Sequence, residues 1–251
     1  VKTLSPGGHD DGVHVFFQHS TDIWRDFPEL VPAALYTEGI TATVTPDTTL
    51  DARIAAHAER AAARLATASE GELPEIQAWR RTFTRMGLKP TQYRCASEAL
   101  LRRFRKEGSL PRLHPLIDLC NAVSIAHAVP IAVFDVSRIT SYVEVGYAAG
   151  DETYLTFGGD TEQPPAGEVI FADAAGRAHA RRWTNRQSGH SAVRDTTSNV
   201  LIVAEALHDT AAKDVESLLA TLTDELNTLW PVTPKSAILT PAAPRFEFPG
   251  R

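Results

Sequence analysis

The sequence predicts an α+β fold: one domain in which a mixed or antiparallel sheet is flanked by helices. Three observations predict it. Helical spacing and helix punctuation dominate from about residue 48 to residue 127. After Asp135 the pattern changes to short alternating runs separated by Gly150-Asp151, Gly158-Gly159-Asp160, Pro164-Pro165 and Gly176. A last amphipathic stretch closes the pattern, with no internal repeat and no low-complexity linker to divide the chain. At 251 residues the chain can bury a substantial core.

In chain order, residues 1–12 read as a flexible lead-in rich in glycine and charge, and Val13 to Phe17 as a strand. Trp24, Phe27, Leu30 and Val31 mark a short helical turn, followed by an extended segment to Ile40. Thr48 with Asp51 starts an alanine-rich helix over Leu50 to Ala68 that Gly71 ends. Pro74 sits in the first turn of a second helix, with Ile76, Trp79, Phe83 and Met86 on one face and Gly87 beyond it. Ser97 caps a third helix, Glu98 to Lys106, which Gly108 stops. The runs Tyr142–Tyr147, Thr153–Phe157, Glu168–Ala172, Ala178–Trp183 and Asn199–Ala204 are the strands of the sheet. Asp209 to Trp230 is the final helix, with Val215, Leu218, Leu219, Leu222, Leu226 and Leu229 as its apolar stripe. The domain thus spans residues 13–230, and residues 231–251 read as an extended tail.

The organising stretch is Leu113 to Asp135. His114 precedes a helix opened by Pro115, with Leu116, Leu119, Cys120, Val123 and His127 at helical spacing. Pro130 stops it, and Ile131 to Phe134 form a strand covered on both faces. His114 reads as a capping or surface residue and His127 as a satisfied core histidine. Asp118 and Asn121, one turn apart, either anchor the next loop or line a pocket.

Composition is that of an ordinary globular protein, and no apolar run reaches the roughly 18 residues that span a membrane. The first residues lack a secretory pattern, so the sequence is read as cytoplasmic. Cys95 and Cys120 have no metal-ligand or disulfide spacing and read as buried thiols. Net charge is −6, yet Arg80, Arg81, Arg85, Lys89, Arg94, Arg102, Arg103, Arg105, Lys106 and Arg112 cluster against only Glu98 and Glu107. Such a run is either a local field for phosphate or a solvated pair of helices with arginine stems over apolar surface.

No phosphate-binding loop, dinucleotide fingerprint, nucleophile elbow or His-Glu-x-x-His pair occurs, so no cofactor or metal is expected from motif spacing. The unusual segment is Ala180 to His190, a strand end carrying Trp183, Asn185, Arg186, Gln187 and His190. It is either a stacking face beside paired donors or an ordinary polar hairpin with a partly buried tryptophan.

The run Pro115-Leu116-Ile117-Asp118 with Asn121, then Pro130, Phe134-Asp135 and Ile139, resembles the B3/B4 domain of the beta subunit of bacterial phenylalanyl-tRNA synthetase, and free-standing B3/B4 proteins among its relatives. The resemblance extends from about residue 76 to residue 207. It implies a B3/B4-like domain with tRNA or aminoacyl-tRNA as partner and no cofactor. It places Trp183, Asn185, Arg186, Gln187, His114, Asn121, Gly158 and Gly159 around a substrate pocket, with the basic residues Arg80 to Lys106 on the RNA. In the synthetase, the domain hydrolyses tyrosine wrongly attached to tRNA. Here the histidine of the family's Pro-x-His-Ala-Phe-Asp motif is replaced by Ala132, and the Met-Gly-Gly loop by Asn185-Arg186-Gln187. Hydrolysis of mischarged tRNA in trans would therefore need another arrangement, with Asn185, Gln187, His190 and Glu144 as the candidates. The alternatives are a module for an amino acid-like small molecule without RNA, and a purely structural domain.

Overall fold

The computed structural model describes residues 14–250, so the lead-in over residues 1–12 lies outside the described residues. In order, the elements are β1 (His14–His19), α1 (Thr21–Asp26), β2 (Val31–Thr37), α2 (Asp47–Leu65), α3 (Pro74–Arg85), α4 (Ala96–Glu107), α5 (Pro115–His127) and β3 (Ile131–Asp135). There follow β4 (Tyr142–Tyr147), β5 (Tyr154–Leu155), β6 (Thr161–Glu162), β7 (Val169–Asp173), β8 (Ala178–Arg181), β9 (Arg186–Gln187), β10 (Val200–Ala206), α6 (Ala211–Leu229), β11 (Lys235–Ile238) and β12 (Arg245–Pro249). The α+β class read from the sequence is the class observed.

Two sheets share the core. The larger runs β12-β1-β4-β7-β8-β9, antiparallel except for the parallel pair β1 and β4, and the other runs β11-β2-β10-β3, all antiparallel. Every residue of β10 is buried, because successive side chains point to opposite faces and both faces are covered. Leu201 and Val203 pack with Phe17, Phe171 and Phe248 of the larger sheet, while Val200, Ile202 and Ala204 pack against Leu218, Leu222 and Leu226 of α6 and Leu119 and Val123 of α5. A strand buried on both sides must be apolar throughout, so the single charge in Val-Leu-Ile-Val-Ala-Glu-Ala stands out.

The helix boundaries follow local chemistry. α3 and α5 each begin at a proline, whose missing N–H costs nothing in a first turn. His114 Nδ1 accepts from the Leu116 N–H at 3.2 Å, capping α5. That helix ends with Ala128 in the left-handed region at φ 56°, and the Ser124 hydroxyl donates to the Val129 carbonyl at 2.7 Å just before Pro130. α4 ends at left-handed Gly108, φ 76°, whose N–H bonds Phe104 O.

Some boundaries differ from expectation. α4 starts at Ala96, so Ser97 lies buried inside its first turn, near Cys95 Sγ at 3.4 Å, instead of capping it. Gly71 sits in a short 3-10 turn after α2, where an added Cβ would lie 2.7 Å from Arg80 Nη2; the glycine admits that guanidinium. The segment read as an extended tail carries β11 and β12, which pair with β2 and β1. Both cysteines are free and buried, and burial pushes each thiol up to about 12.

Candidate functional site

A cleft opens where the edge strand β3 faces the β8–β9 hairpin. Pro130, Ile131 and Ala132 form one wall and Thr184 to Gln187 the other, over a floor of Phe171, Trp183, Val203 and Glu205. The hairpin is held open by side chain to backbone bonds: Gln187 Nε2 donates to Val133 O at 2.6 Å and Asn185 Nδ2 to Arg94 O at 2.7 Å. At its tip Arg182 and Trp183 are both left-handed, φ 46° and 56°, an unfavourable pair for residues with side chains. Three bonds hold them there. The Trp183 N–H donates to Val169 O at 2.7 Å, the Arg182 N–H to Glu168 Oε1 at 3.1 Å, and Trp183 Nε1 to Glu205 Oε1 at 2.9 Å.

Trp183 therefore does not offer the stacking face that the sequence reading allowed. Its side chain is fully buried, edge-on to Phe27 at 4.9 Å and to Trp79 at 5.2 Å, and only contributes to the cleft floor. Glu205 is the centre of this floor: its Oε1 also contacts His19 Nε2 at 2.5 Å, and its backbone carbonyl accepts from Trp79 Nε1 at 3.3 Å. Neither Glu205 nor His19 was singled out from the sequence. The signal for Glu205 was its isolation in an apolar strand. Thr184, also missed, has a buried hydroxyl without a partner among the described residues. The cavity volume is about 50 Å³. Since a water needs roughly 10–15 Å³ and a benzene-binding cavity is about 150 Å³, the cleft as it stands holds a small polar or methyl-sized group.

The other predicted pocket residues divide between the cleft and other parts of the fold. Asn185, Arg186 and Gln187 line the cleft, but His114 caps α5 and lines a separate hollow with Asp47, Asp51 and Arg112. Asn121 sits half-buried on α5 outside the cleft lining, while Asp118 anchors the preceding loop by accepting from the Leu113 N–H at 2.7 Å. Gly158 and Gly159 are exposed in the turn between β5 and β6. Glu144, on β4, accepts from Gln18 Nε2 at 2.5 Å in another hollow, and His190 Nε2 contacts Arg138 O at 3.2 Å. Burial, with Arg177 nearby, lowers the His190 pKa.

One constellation carries the residue types of an acyl hydrolase. His179 Nδ1 lies 2.8 Å from Ser191 Oγ, and His179 Nε2 lies 3.3 Å from Asp173 Oδ2. Burial raises the Asp173 pKa, but contact with His179 and backbone N–H donors hold it well below the usual carboxylate range. Ser191 and His179 are 0% exposed, so no ester can reach the hydroxyl. The trio fixes the segment behind His190.

The basic cluster is largely neutralised in place. Arg80 and Arg94 meet Glu98 at 2.6 and 3.4 Å, Arg102 and Arg105 meet Glu70 at 3.7 and 2.9 Å, Arg103 meets Glu107 at 2.9 Å, and Arg85 pairs with Glu29. Arg112 bridges Asp51 and Asp118 at 2.7 and 2.9 Å. Within this cluster Arg81, Lys89 and Lys106 are exposed without an ion pair among the described residues. No helix among them is long and apolar enough to cross a membrane.

Comparison with known proteins gives the fold a place. No curated protein matches the chain. Among solved structures it is similar to an N-terminal fragment of the phenylalanyl-tRNA synthetase beta-subunit from Pyrococcus horikoshii, with a TM-score of 0.50 and 11% identity. That match covers 97% of this chain and 57% of the other, and at such identity it concerns the fold alone. A family profile for the B3/4 domain matches residues 78–225, a range that contains every residue lining the cleft. The chain belongs to the B3/4 domain family.

Proposed function

We propose that this protein binds the aminoacylated 3′ end of a tRNA, with a small aminoacyl group seated between β3 and the β8–β9 hairpin. The observation that carries this reading is the cleft itself. Its apolar wall, Ile131 and Ala132, faces the polar wall, Asn185 to Gln187, above a buried carboxylate. Such a combination suits an apolar stub bearing an amine and an ester. Small aminoacyl groups are expected because the cavity volume, about 50 Å³, is too tight for an aromatic ring. Within the run from Arg80 to Arg112, Arg81, Lys89 and Lys106 are the cations left to meet phosphate.

Hydrolysis is not part of the proposed role. Within the cleft Glu205 Oε1 is engaged by His19 and Trp183, and the amides of Asn185 and Gln187 are spent on backbone carbonyls. His190 and Glu144 face other surroundings. Among the described residues no imidazole lines the cleft to move a proton.

Filter retention of tRNA charged with alanine, charged with phenylalanine or uncharged tests this at graded salt. The expected order is alanyl above uncharged, with phenylalanyl no better than uncharged, and all binding falling steeply with salt. Equal retention of all three, or none at low salt, overturns it. The ion pairing of Arg80, Arg85, Arg94, Arg102, Arg103 and Arg105 favours a second reading, a receptor for a free amino acid-like molecule. A rise in melting temperature with small amino acids but none with RNA supports that reading instead.

A further inference from the structure

Away from the cleft, three potential ligands converge where the first turns of α3 and α6 meet the loop after β10. Glu75, His208 and Asp214 each offer one ligand atom, and these atoms all lie within 4.8 Å of one another. His208 Nε2 is 2.8 Å from Asp214 Oδ2, a hydrogen bond that a small separation of the two would convert into a pair of ligands for an ion with bonds of roughly 2.0–2.2 Å. A second, independent observation comes from α5. His127 lines the same hollow as Glu75 and Asp214, is 8% exposed, and its Nε2 has no hydrogen-bond partner among the described residues. His208 is equally enclosed and turns its Nε2 to Asp214. Buried polar atoms are almost always satisfied, so the unpaired His127 nitrogen in a hollow lined by two carboxylates points to a ligand there.

We propose that Glu75, His208 and Asp214 form a binding site for a divalent transition-metal ion, with His127 beside it. Two carboxylates and imidazole suit zinc or manganese, whereas calcium and magnesium prefer all-oxygen shells. The carboxylates are already oriented from behind, as ligating carboxylates are in metal sites. Arg64 Nη2 donates to both oxygens of Glu75, at 2.7 and 2.8 Å, and Thr210 Oγ1 donates to Asp214 Oδ2 at 2.5 Å. Burial, with Arg60 adding to it, lowers the His127 pKa to about 4, so the ring is neutral and able to offer a lone pair at physiological pH. The hollow has a cavity volume of about 490 Å³, room for ion entry and for further water or ligand on the open side. An ion there would tie α3 to the β10–α6 loop. Trp79, one turn along α3 from Glu75, and Glu205, three residues before His208, already bond to each other, so the site braces the elements beneath the cleft.

The test uses the full chain, untagged and stripped with chelator, titrated calorimetrically with zinc chloride, with magnesium as the hard-cation comparison and cobalt(II) as a coloured probe. One zinc per chain is expected, together with a raised melting temperature, a visible cobalt band and no response to magnesium. D214N and H208Q should each weaken zinc at least tenfold while keeping the far-ultraviolet spectrum, and E216Q, an exposed neighbour on α6, should leave it unchanged. Absence of zinc binding and of a cobalt band in folded wild-type protein overturns the proposal, as does equal affinity in wild type, D214N and H208Q. If either variant fails to fold, the wild-type cobalt spectrum decides alone, since nitrogen and oxygen ligation differs from that of the hydrated ion.

Discussion

Trp183 Nε1 donates to Glu205 Oε1 at 2.9 Å, and the two side chains are 0% and 2% exposed. The same carboxylate oxygen contacts His19 Nε2, so one acidic side chain anchors both a left-handed hairpin tip and the end of the first strand. Removing it would leave two buried polar groups without a partner. Glu205→Ala is expected to cost roughly 3–5 kcal/mol, as for loss of one member of a buried pair. Glu205→Gln, which keeps the shape and one acceptor, should cost less than half of that. Urea unfolding followed by tryptophan fluorescence gives both numbers, and equal losses in the two variants would contradict the anchoring role.

Trp183→Ala should cost a further roughly 3–5 kcal/mol through the cavity it leaves among Phe27, Trp79 and Phe171. Combined with Glu205→Ala, the losses should fall short of additive by about 1 kcal/mol or more, because the two residues share a bond. Strict additivity in a double-mutant cycle would deny their coupling.

Arg80 and Arg81 are neighbours in sequence with opposite expected roles. Glu98 is 1% exposed and bonds Arg80 at 2.6 Å, with Arg94 as a second partner at 3.4 Å, so Arg80→Ala should destabilise the fold by roughly 1–3 kcal/mol. Arg81→Ala should be close to neutral for stability, within about 0.5 kcal/mol, and should instead lower tRNA affinity and the slope of its salt dependence by about one counterion. Thermal melts and salt-graded binding on the two variants separate the roles.

Gln187→Ala removes the Gln187 bond to Val133 O, with an expected loss of about 1 kcal/mol, and loosens one wall of the cleft. Affinity for alanyl-tRNA should fall while that for uncharged tRNA stays, which competition binding reads directly. A parallel fall in both would place Gln187 outside the aminoacyl contact.

Acid should weaken the fold through buried histidines. Burial lowers the pKa of His127 to about 4, and also lowers those of His114 and His190. Each group is therefore harder to protonate folded than unfolded. The stability it contributes is complete above the ordinary histidine value of about 6.5 and is lost as pH falls toward the folded value. For His127 the loss between pH 7 and pH 4 is of the order of 3 kcal/mol. His127→Gln should flatten that part of the profile, measured as urea midpoints in chelator at pH 7, 6 and 5.

Much of the fold was legible because its punctuation is local. Pro74, Pro115, Gly108 and Pro130 act on their own neighbours, and the helices they bound are observed within a few residues. The cleft was half legible: the strand after Pro130 and the segment Asn185 to Gln187 do meet. What was hidden depends on distant partners. Trp183 reads as either a stacking face or a partly buried ring until β10 supplies Glu205, and the basic run looks opposed by Glu98 and Glu107 alone until Glu29 and Glu70 arrive from outside its window. The Asp173, His179 and Ser191 trio is equally silent in sequence, since its members come from β7, β8 and the segment after β9 and no motif joins them.

The pairing of β12 with β1 joins His14 to Pro249 in register. Strands this far apart in sequence meet only once a long loop has closed, and Phe246 and Phe248 then cover that flank of the core. Such a long-range closure slows the last folding step. Until β12 pairs, β1 keeps a bare edge prone to pair with other molecules.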